Sequence, residues 1–236
     1  IYKNMIIRRY DDFGLSKYFT HEDFPGLKKQ EYSFTGDRGQ KLVGAFYFYG
    51  EKRTDTIVIF EHGIGGGHLS YMTEINYLAS RGYTVFAYDK TGCMASEGES
   101  ILSITQAVRD SNCAINSITA LPEYKDAKLY LVGHSWGAFT VMNVCSINKK
   151  VDKIVAISGM YSVRGLIKGY LKAPLTVFIP AVERFEEEMK KRVDKAEGAR
   201  YTVKAVARNA RERRWKRGSE HLENYIAKQQ TSQVDS

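Results

Sequence analysis

The sequence predicts an α/β fold, a three-layer sandwich built on a mainly parallel sheet with an antiparallel hairpin on its N-terminal side. Lid-like and tail helices are expected to follow this core. Three observations carry the prediction. From residue 56 onward, short apolar runs alternate with segments of helical period, the pattern of a parallel sheet covered on both faces. Before them, two alternating stretches flank Gly36-Asp37-Arg38-Gly39, a hairpin turn sequence. Finally, the pentapeptide Gly133-His134-Ser135-Trp136-Gly137 lies between an apolar run and a helical one.

The elements follow in order. Up to about Pro25 the chain mixes charges and scattered aromatics, which suits an irregular or helical lead-in. Lys29 to Phe34 and Gln40 to Tyr49 form the hairpin strands. Thr56-Ile57-Val58-Ile59-Phe60 reads as a fully buried strand. A helix is expected from about Ser70 to Arg81, with Met72, Ile75 and Ala79 on one face and Gly82 as its stop. Tyr83 to Tyr88 is the next strand, and Asp89 to Glu99 a loop rich in Gly and Ser. Ile101 to Thr119 has Ile104, Ala107, Val108, Ser111, Ile115 and Ile118 at helical spacing, and Pro122 ends it. Lys128 to Val132 is the strand before Ser135, and Ala138 to Ile147 the helix after it. Lys153 to Ser158 reads as one more buried strand. Beyond Gly159 no further strand is legible. The division expected is a core over 1–160, a lid-like helical segment over 161–197 and a basic tail over 198–236.

Composition sets outer bounds. A chain of 236 residues with 43% hydrophobic content can bury one large core, and sixteen Tyr with eleven Phe predict heavy aromatic packing. No apolar run approaches a membrane span, and no leader resembles a signal peptide. Cys93, Cys113 and Cys145 lack metal-ligand spacing and are odd in number, so they read as reduced thiols of a cytoplasmic protein. Cys113 and Cys145 fall in helical stretches, as small core residues do. The net charge of +8 is concentrated at the end, where residues 198–236 hold nine Lys and Arg against four Asp and Glu. Such a run is read as a solvated face, so no nucleic-acid partner is expected, although the charge itself would suit one.

The chemistry centres on Ser135. A serine on a sharp strand-to-helix turn is thrust above the end of a sheet, with a backbone that small flanking residues permit. Its φ is expected to be positive. Upstream, His62-Gly63-Ile64-Gly65-Gly66-Gly67 follows a buried strand. Acyl transfer passes through a tetrahedral oxyanion that needs two convergent backbone N–H donors. The residue after the nucleophile, Trp136, is the expected source of one, and Ile64, directly after His-Gly, of the other. A glycine-rich turn entering a helix also binds phosphate, but neither G-x-G-x-x-G nor a terminal Gly-Lys-Ser/Thr is present.

These residues resemble the α/β-hydrolase superfamily, within it the group of lysophospholipases, monoacylglycerol lipases and serine aminopeptidases. His62-Gly63, the run Gly82 to Asp89, and the Ser135 pentapeptide occur in that group's order and spacing, over about Leu27 to Ser158. The resemblance implies a serine hydrolase acting through an acyl-enzyme on small ester or acyl substrates, with no metal or organic cofactor. It also implies that Asp89 is a structural loop acid, and that His62, His68 and His134 shape the pocket. Two departures stand out. Where the group has a second glycine after Asp89, this chain has Met94, which predicts a bulkier or stiffer loop. The acid and histidine of a catalytic triad have no matching positions after Ser158. Asp194 and Glu183 are available acids, and His221 is the remaining histidine, in a polar helical context that reads as surface. The expected explanation is a truncated sequence, with or without a foreign or frame-shifted tail, and the alternative an unusual minimal hydrolase. A non-catalytic binding protein of the same fold is the competing reading. The apolar stretch Leu166 to Ile179 suggests an acyl chain in the substrate, and the oligomeric state is not legible.

Overall fold

A computed structural model describes residues 7–12, 17–160, 162, 164 and 179–197 of the chain. Six strands form one sheet: β1 (Lys28–Thr35), β2 (Lys41–Phe48), β3 (Thr56–Glu61), β4 (Thr84–Tyr88), β5 (Lys128–His134) and β6 (Val151–Ile157). Their order across the sheet is β1-β2-β4-β3-β5-β6. β1 pairs antiparallel with β2 and β2 with β4, whereas β4, β3, β5 and β6 run parallel. The expected hairpin therefore leads the sheet at one edge, turning at Gly36 to Gly39. There Gly36 N–H donates to Gln40 O (2.8 Å) and Gly39 takes φ 82°.

Side-chain alternation along the strands feeds two cores. On one face Phe34, Leu42, Phe46, Ile57, Ile59, Phe86, Tyr88, Leu129 and Leu131 meet α2 (Gln106–Thr119) and α3 (Trp136–Val144). On the other, Ala45, Tyr47, Val58, Phe60, Val85 and Ala87 meet α1 (Met72–Ser80) through Met72, Ile75 and Ala79, the three positions expected to share a face. β3 and β4 are buried along their whole length, as strands covered on both faces should be. The aromatic load is concentrated in the first core. Phe86 lies within ring-contact distance of Tyr32, Phe34, Phe46 and Tyr88, at centroid separations of 5.0 to 6.1 Å. Cys113 and Cys145 pack against that same core, and no disulfide joins the three cysteines.

Several boundaries differ from the sequence reading. The helix expected from Ile101 begins at Gln106. Ile101 and Ile104 are buried, but Leu102 has φ 60° and the Ser103 hydroxyl accepts the Gln106 N–H (3.1 Å). A side chain that can take a first-turn amide makes a better helix start than interior, so the apolar spacing there belongs to a folded loop. The helix expected from Ser70 starts at Met72, after a short 3-10 turn over His68–Tyr71. The helix after Ser135 runs Trp136–Val144 rather than from Ala138 to Ile147. β6 is not the buried strand expected: Val155 is 36% exposed and the strand is mostly half-buried. It is the last strand in the order, and among the described residues nothing pairs with its outer edge.

The final described element is α4 (Ile179–Glu197). Ile179 and Val182 are buried, and the Glu186 carboxylate accepts from Ile104 N–H (3.1 Å), Thr105 N–H (3.4 Å) and Thr105 Oγ1 (3.3 Å). A carboxylate at the start of α2 is favoured by the exposed amides of that helix end. Of the lid-like segment, residues 161, 163 and 165–178 lie outside the described residues, as does the tail over 198–236 with His221. No described helix is long and apolar enough to cross a membrane. Because Phe86 is fully buried among four rings, Phe86→Ala should lower the unfolding free energy by about 3–5 kcal/mol. Urea denaturation followed by far-UV circular dichroism measures it, with Tyr77→Ala on the surface as the near-neutral control.

Candidate active site

The strands that matter are parallel, so their C-terminal ends open on one side of the sheet, where loops can gather groups from different parts of the sequence. Ser135 stands there, between β5 and α3, with φ 55° and ψ −112°. This is the positive φ expected of it, and a non-glycine residue held in such a region stores about 1–3 kcal/mol of strain. Two backbone bonds hold it: Ser135 N–H donates to Ile157 O (2.9 Å) and Phe139 N–H donates to Ser135 O (3.0 Å). Its flanking glycines are a steric requirement. A Cβ on Gly137 would stand 1.8 Å from Glu61 O, and one on Gly133 would stand 2.3 Å from Gly137 O.

The His62 loop arrives beside it. A Cβ on Gly63 would meet Tyr71 Oη at 2.5 Å, His134 O at 3.5 Å and Ser135 Cβ at 3.6 Å, which places Gly63 directly against the serine. Gly63 N–H donates to Tyr71 Oη (3.1 Å), and the same hydroxyl shares a hydrogen bond with His134 Nδ1 (2.9 Å). His62 is fully buried. Lys90 N–H donates to its Nε2 (3.0 Å), so Nε2 is the acceptor and the ring proton is on Nδ1, which donates to Gly63 O (2.7 Å). Burial, then the neighbouring Lys90 charge, pushes the His62 pKa down to about 3, in keeping with a neutral ring. The C=O and N–H of one trans peptide point in opposite directions, so the Ile64 N–H is turned away from the imidazole. Trp136 is the first residue of α3, where amides have no acceptor within the helix. Its indole is buried, donates to Ile104 O (2.8 Å) and packs edge-on to His62.

Beneath this loop lies a charged pair that the sequence reading missed. Lys90 Nζ is 2.8 Å from Glu61 Oε2, both side chains fully buried, and it also donates to His62 O (2.9 Å). Tyr88 Oη donates to the same carboxylate at 3.0 and 3.1 Å. The signal was present: an acid ends one apolar run and a lysine follows another just after its acid, and in adjacent parallel strands those positions fall together. Tyr71 was missed too, because nothing in its spacing marks it.

Asp89 behaves as the structural acid it was expected to be. Its Oδ1 accepts from His68 N–H and Nδ1–H (each 2.8 Å) and its Oδ2 from Ala95 N–H (3.3 Å). Burial alone would raise its pKa, but these His68 contacts hold it below the usual carboxylate range. Met94 has φ 43°, the conformation a glycine would take without cost. The N-terminal segment clamps it: Met94 N–H donates to Tyr10 O (2.7 Å) and Arg9 donates to Met94 O (2.6 Å), Ser96 O (3.0 Å) and Gly98 O (2.7 Å). The loop is thus tied to the N-terminal segment through its backbone.

Not everything named from the sequence comes together. Among the described residues, no side chain hydrogen-bonds the Ser135 hydroxyl. Glu183 lies 3.8 Å from Arg164, Asp194 is described only as part of the α4 backbone, and His221 lies outside the described residues.

A six-stranded, mostly parallel sheet with a strained serine at a strand-to-helix turn defines an α/β hydrolase. Residues 52–229 match the family described as serine aminopeptidase, S33, and the chain belongs to that family. No curated protein matches it. Among solved structures, an esterase of Pyrococcus furiosus aligns with a TM-score of 0.59 and 19% identity, covering 84% of this chain and 71% of that one. A hypothetical protein of Pseudomonas aeruginosa aligns with a TM-score of 0.57 and 22% identity, over 74% of this chain and 56% of its own. The α/β hydrolase GrgF of a Penicillium species gives 0.55 and 20%, over 75% and 57%. At these identities the likeness is one of fold.

The pKa shifts predict an unusual acid response. His62 protonates near 6.5 when unfolded but near 3 when folded, so its contribution to stability is complete above about 6.5 and is lost as pH falls. Asp110 acts in the opposite sense. Burial raises its pKa from 3.8 to about 6, so its contribution is complete below 3.8 and is lost as pH rises through 6. Between those limits the slopes oppose, each up to about 1.4 kcal/mol per pH unit. His62→Asn removes one of them. Its urea midpoint should rise as pH is lowered from about 6.5 to about 4.5, while that of the parent changes much less over the same span.

Proposed function

We propose that this hydrolase is a serine hydrolase that cleaves carboxylic esters, or short amides, through an acyl-enzyme on Ser135. The observation that carries the reading is the Ser135 backbone, strained at a strand-to-helix turn and set against the loop that bears Ile64. Ser135 Oγ attacks the substrate carbonyl, and the amides of Ile64 and Trp136 receive the oxyanion. Collapse of that intermediate expels the alcohol or amine, and water then releases the acid. The orientation of the Gly63–Ile64 peptide and the position of Trp136 at a helix N-terminus, where partial positive charge gathers, support those two roles. The substrate is a small ester or acyl compound and no nucleic-acid partner is involved. Three cysteines without a disulfide support a cytoplasmic setting. In this reading residues 1–160 form the core that carries the serine, 161–197 a lid-like segment and 198–236 a basic tail.

A second reading, a non-catalytic binding protein of this fold, is favoured by one observation: among the described residues, neither an imidazole nor a carboxylate hydrogen-bonds the serine. A serine hydroxyl is nearly inert until a base takes its proton. Oxyanion stabilisation and binding alone still give roughly 10³–10⁴-fold catalysis over water. Weak turnover of activated esters is therefore expected from the chain as it stands. A fluorophosphonate probe should label Ser135 and fail to label Ser135→Ala, and hydrolysis of p-nitrophenyl butyrate should fall to the buffer rate in that variant. His221→Ala should change the rate little. An unlabelled wild-type serine would favour the binding protein, and robust turnover lost in His221→Ala would make His221 the base.

A further inference from the structure

We propose that Lys90 is a positioning residue for the loop bearing Ile64, acting through His62; the inference rests on the serine-hydrolase reading above and assigns that site a component of its own. Lys90 grips His62 at two points. Its backbone N–H donates to the imidazole Nε2 (3.0 Å), and its ammonium donates to the His62 carbonyl (2.9 Å). The first contact puts the ring proton on Nδ1, and that proton is spent on Gly63 O (2.7 Å). The second contact fixes the His62–Gly63 peptide, whose other end, Gly63 N–H, is held by Tyr71 Oη (3.1 Å). Two successive peptide planes are thereby set from below, and the Ile64 N–H is left on the side away from the imidazole.

The ammonium keeps this post because Glu61 and Tyr88 hold it there. Lys90 Nζ is 2.8 Å from Glu61 Oε2, and Tyr88 Oη donates to both Glu61 oxygens. The ammonium also lies 5.4 Å from the Trp136 ring centroid and 5.7 Å from that of Tyr88. A buried ion pair contributes little net stability compared with well-packed apolar residues of similar volume. Stability alone therefore gives no reason for a lysine and a glutamate at these two strand ends. Orientation does, because an oxyanion donor works only when its direction is fixed before the charge develops.

Two measurements test it. The first needs no activity: in wild-type protein labelled with 15N-histidine, the His62 ring should be neutral and carry its proton on Nδ1 at neutral pH, the signal being assigned with His62→Asn. A proton on Nε2, or a charged ring, would overturn the proposal. The second uses Glu61→Leu/Lys90→Met, which removes both charges together and so avoids leaving either one buried alone. In this variant the His62 Nδ1–H should exchange with solvent at least ~10-fold faster, since the carbonyl anchor of its loop is gone. kcat for p-nitrophenyl butyrate should fall about 10- to 100-fold with KM little changed, as small misplacements of catalytic groups cost that much. Tyr77→Ala, on the exposed face of α1, should stay close to wild type in both readouts. A folded double variant with unchanged His62 exchange and unchanged kcat would show that the pair only fills space, and would overturn the proposal. If wild-type turnover proves independent of Ser135, the hydrolase reading fails by itself and the histidine measurements decide the role of Lys90 alone. If the double variant does not fold, the protonation of the His62 ring in wild-type protein decides it.

Discussion

Backbone packed against backbone at the elbow is the constraint on which the site depends. Gly137 lies so close to β3 that a Cβ would stand 1.8 Å from Glu61 O and 3.0 Å from His62 O. Gly133 is pressed in turn against Gly137, and Ser135 N–H is tied to the end of β6. With the first turn of α3 resting on the carbonyls of Glu61, the last residue of β3, and of His62 just after it, the serine has no room to relax to negative φ. The strain is held by the fit of three strands and a helix, not by any single bond. That same contact brings the loop after β3 to the serine, because the chain leaving Glu61 and His62 passes directly into Gly63.

Much of this was legible because apolar period and glycine placement report on local geometry. The fully buried strands β3 and β4 are runs of Ile, Val, Phe and Ala with no polar side chain in their middle, and they lie within a residue of where the sequence put them. Met72, Ile75 and Ala79 marked the inner face of α1, and Gly133 with Gly137 marked the elbow. What was not legible depends on distant partners. Ile101 and Ile104 have helical spacing, yet Leu102 takes φ 60° and Ser103 starts the helix later, with Glu186 receiving the amides of Ile104 and Thr105. β6 carries the apolar content of an inner strand, and its position at the end of the strand order is set by topology, which composition does not report. Tyr71 entered the site only because α1 packs across β2 and β4 and brings its N-terminal turn to Gly63.

The loop after β4 shows how one departure in sequence is absorbed. Met94 adopts a left-handed backbone, and Gly67 leaves room for it, since a Cβ there would approach Met94 Cγ to 2.6 Å and Asp89 Oδ1 to 2.3 Å. The strain at Met94 is offset by the Arg9 guanidinium, which binds three carbonyls of the loop, and by Tyr10, which meets Gly92 and Met94. Charge-assisted bonds to backbone carbonyls are among the stronger hydrogen bonds available, so one arginine can hold a conformation that glycine would otherwise supply. The lead-in segment is thus part of the frame of this loop.

Both halves of the site converge through Asp89 and Lys90, neighbours in sequence at the end of β4 that face different tasks. Asp89 holds His68, whose Nε2 shares a bond with Tyr47 (3.0 Å), and so fixes where the glycine loop enters its helical turn. Lys90 holds His62, and so fixes where the loop leaves β3. The segment from Gly63 to Gly67 is suspended between these two anchors, with five residues and four glycines to span them. Such a segment would be loose on its own, since glycine loses the most conformational freedom on folding. Pinned at both ends and at Gly63, it can present amides in a fixed direction while keeping side-chain bulk away from the serine. A glycine-rich loop and rigid charged anchors are therefore two parts of one solution, and neither would serve without the other.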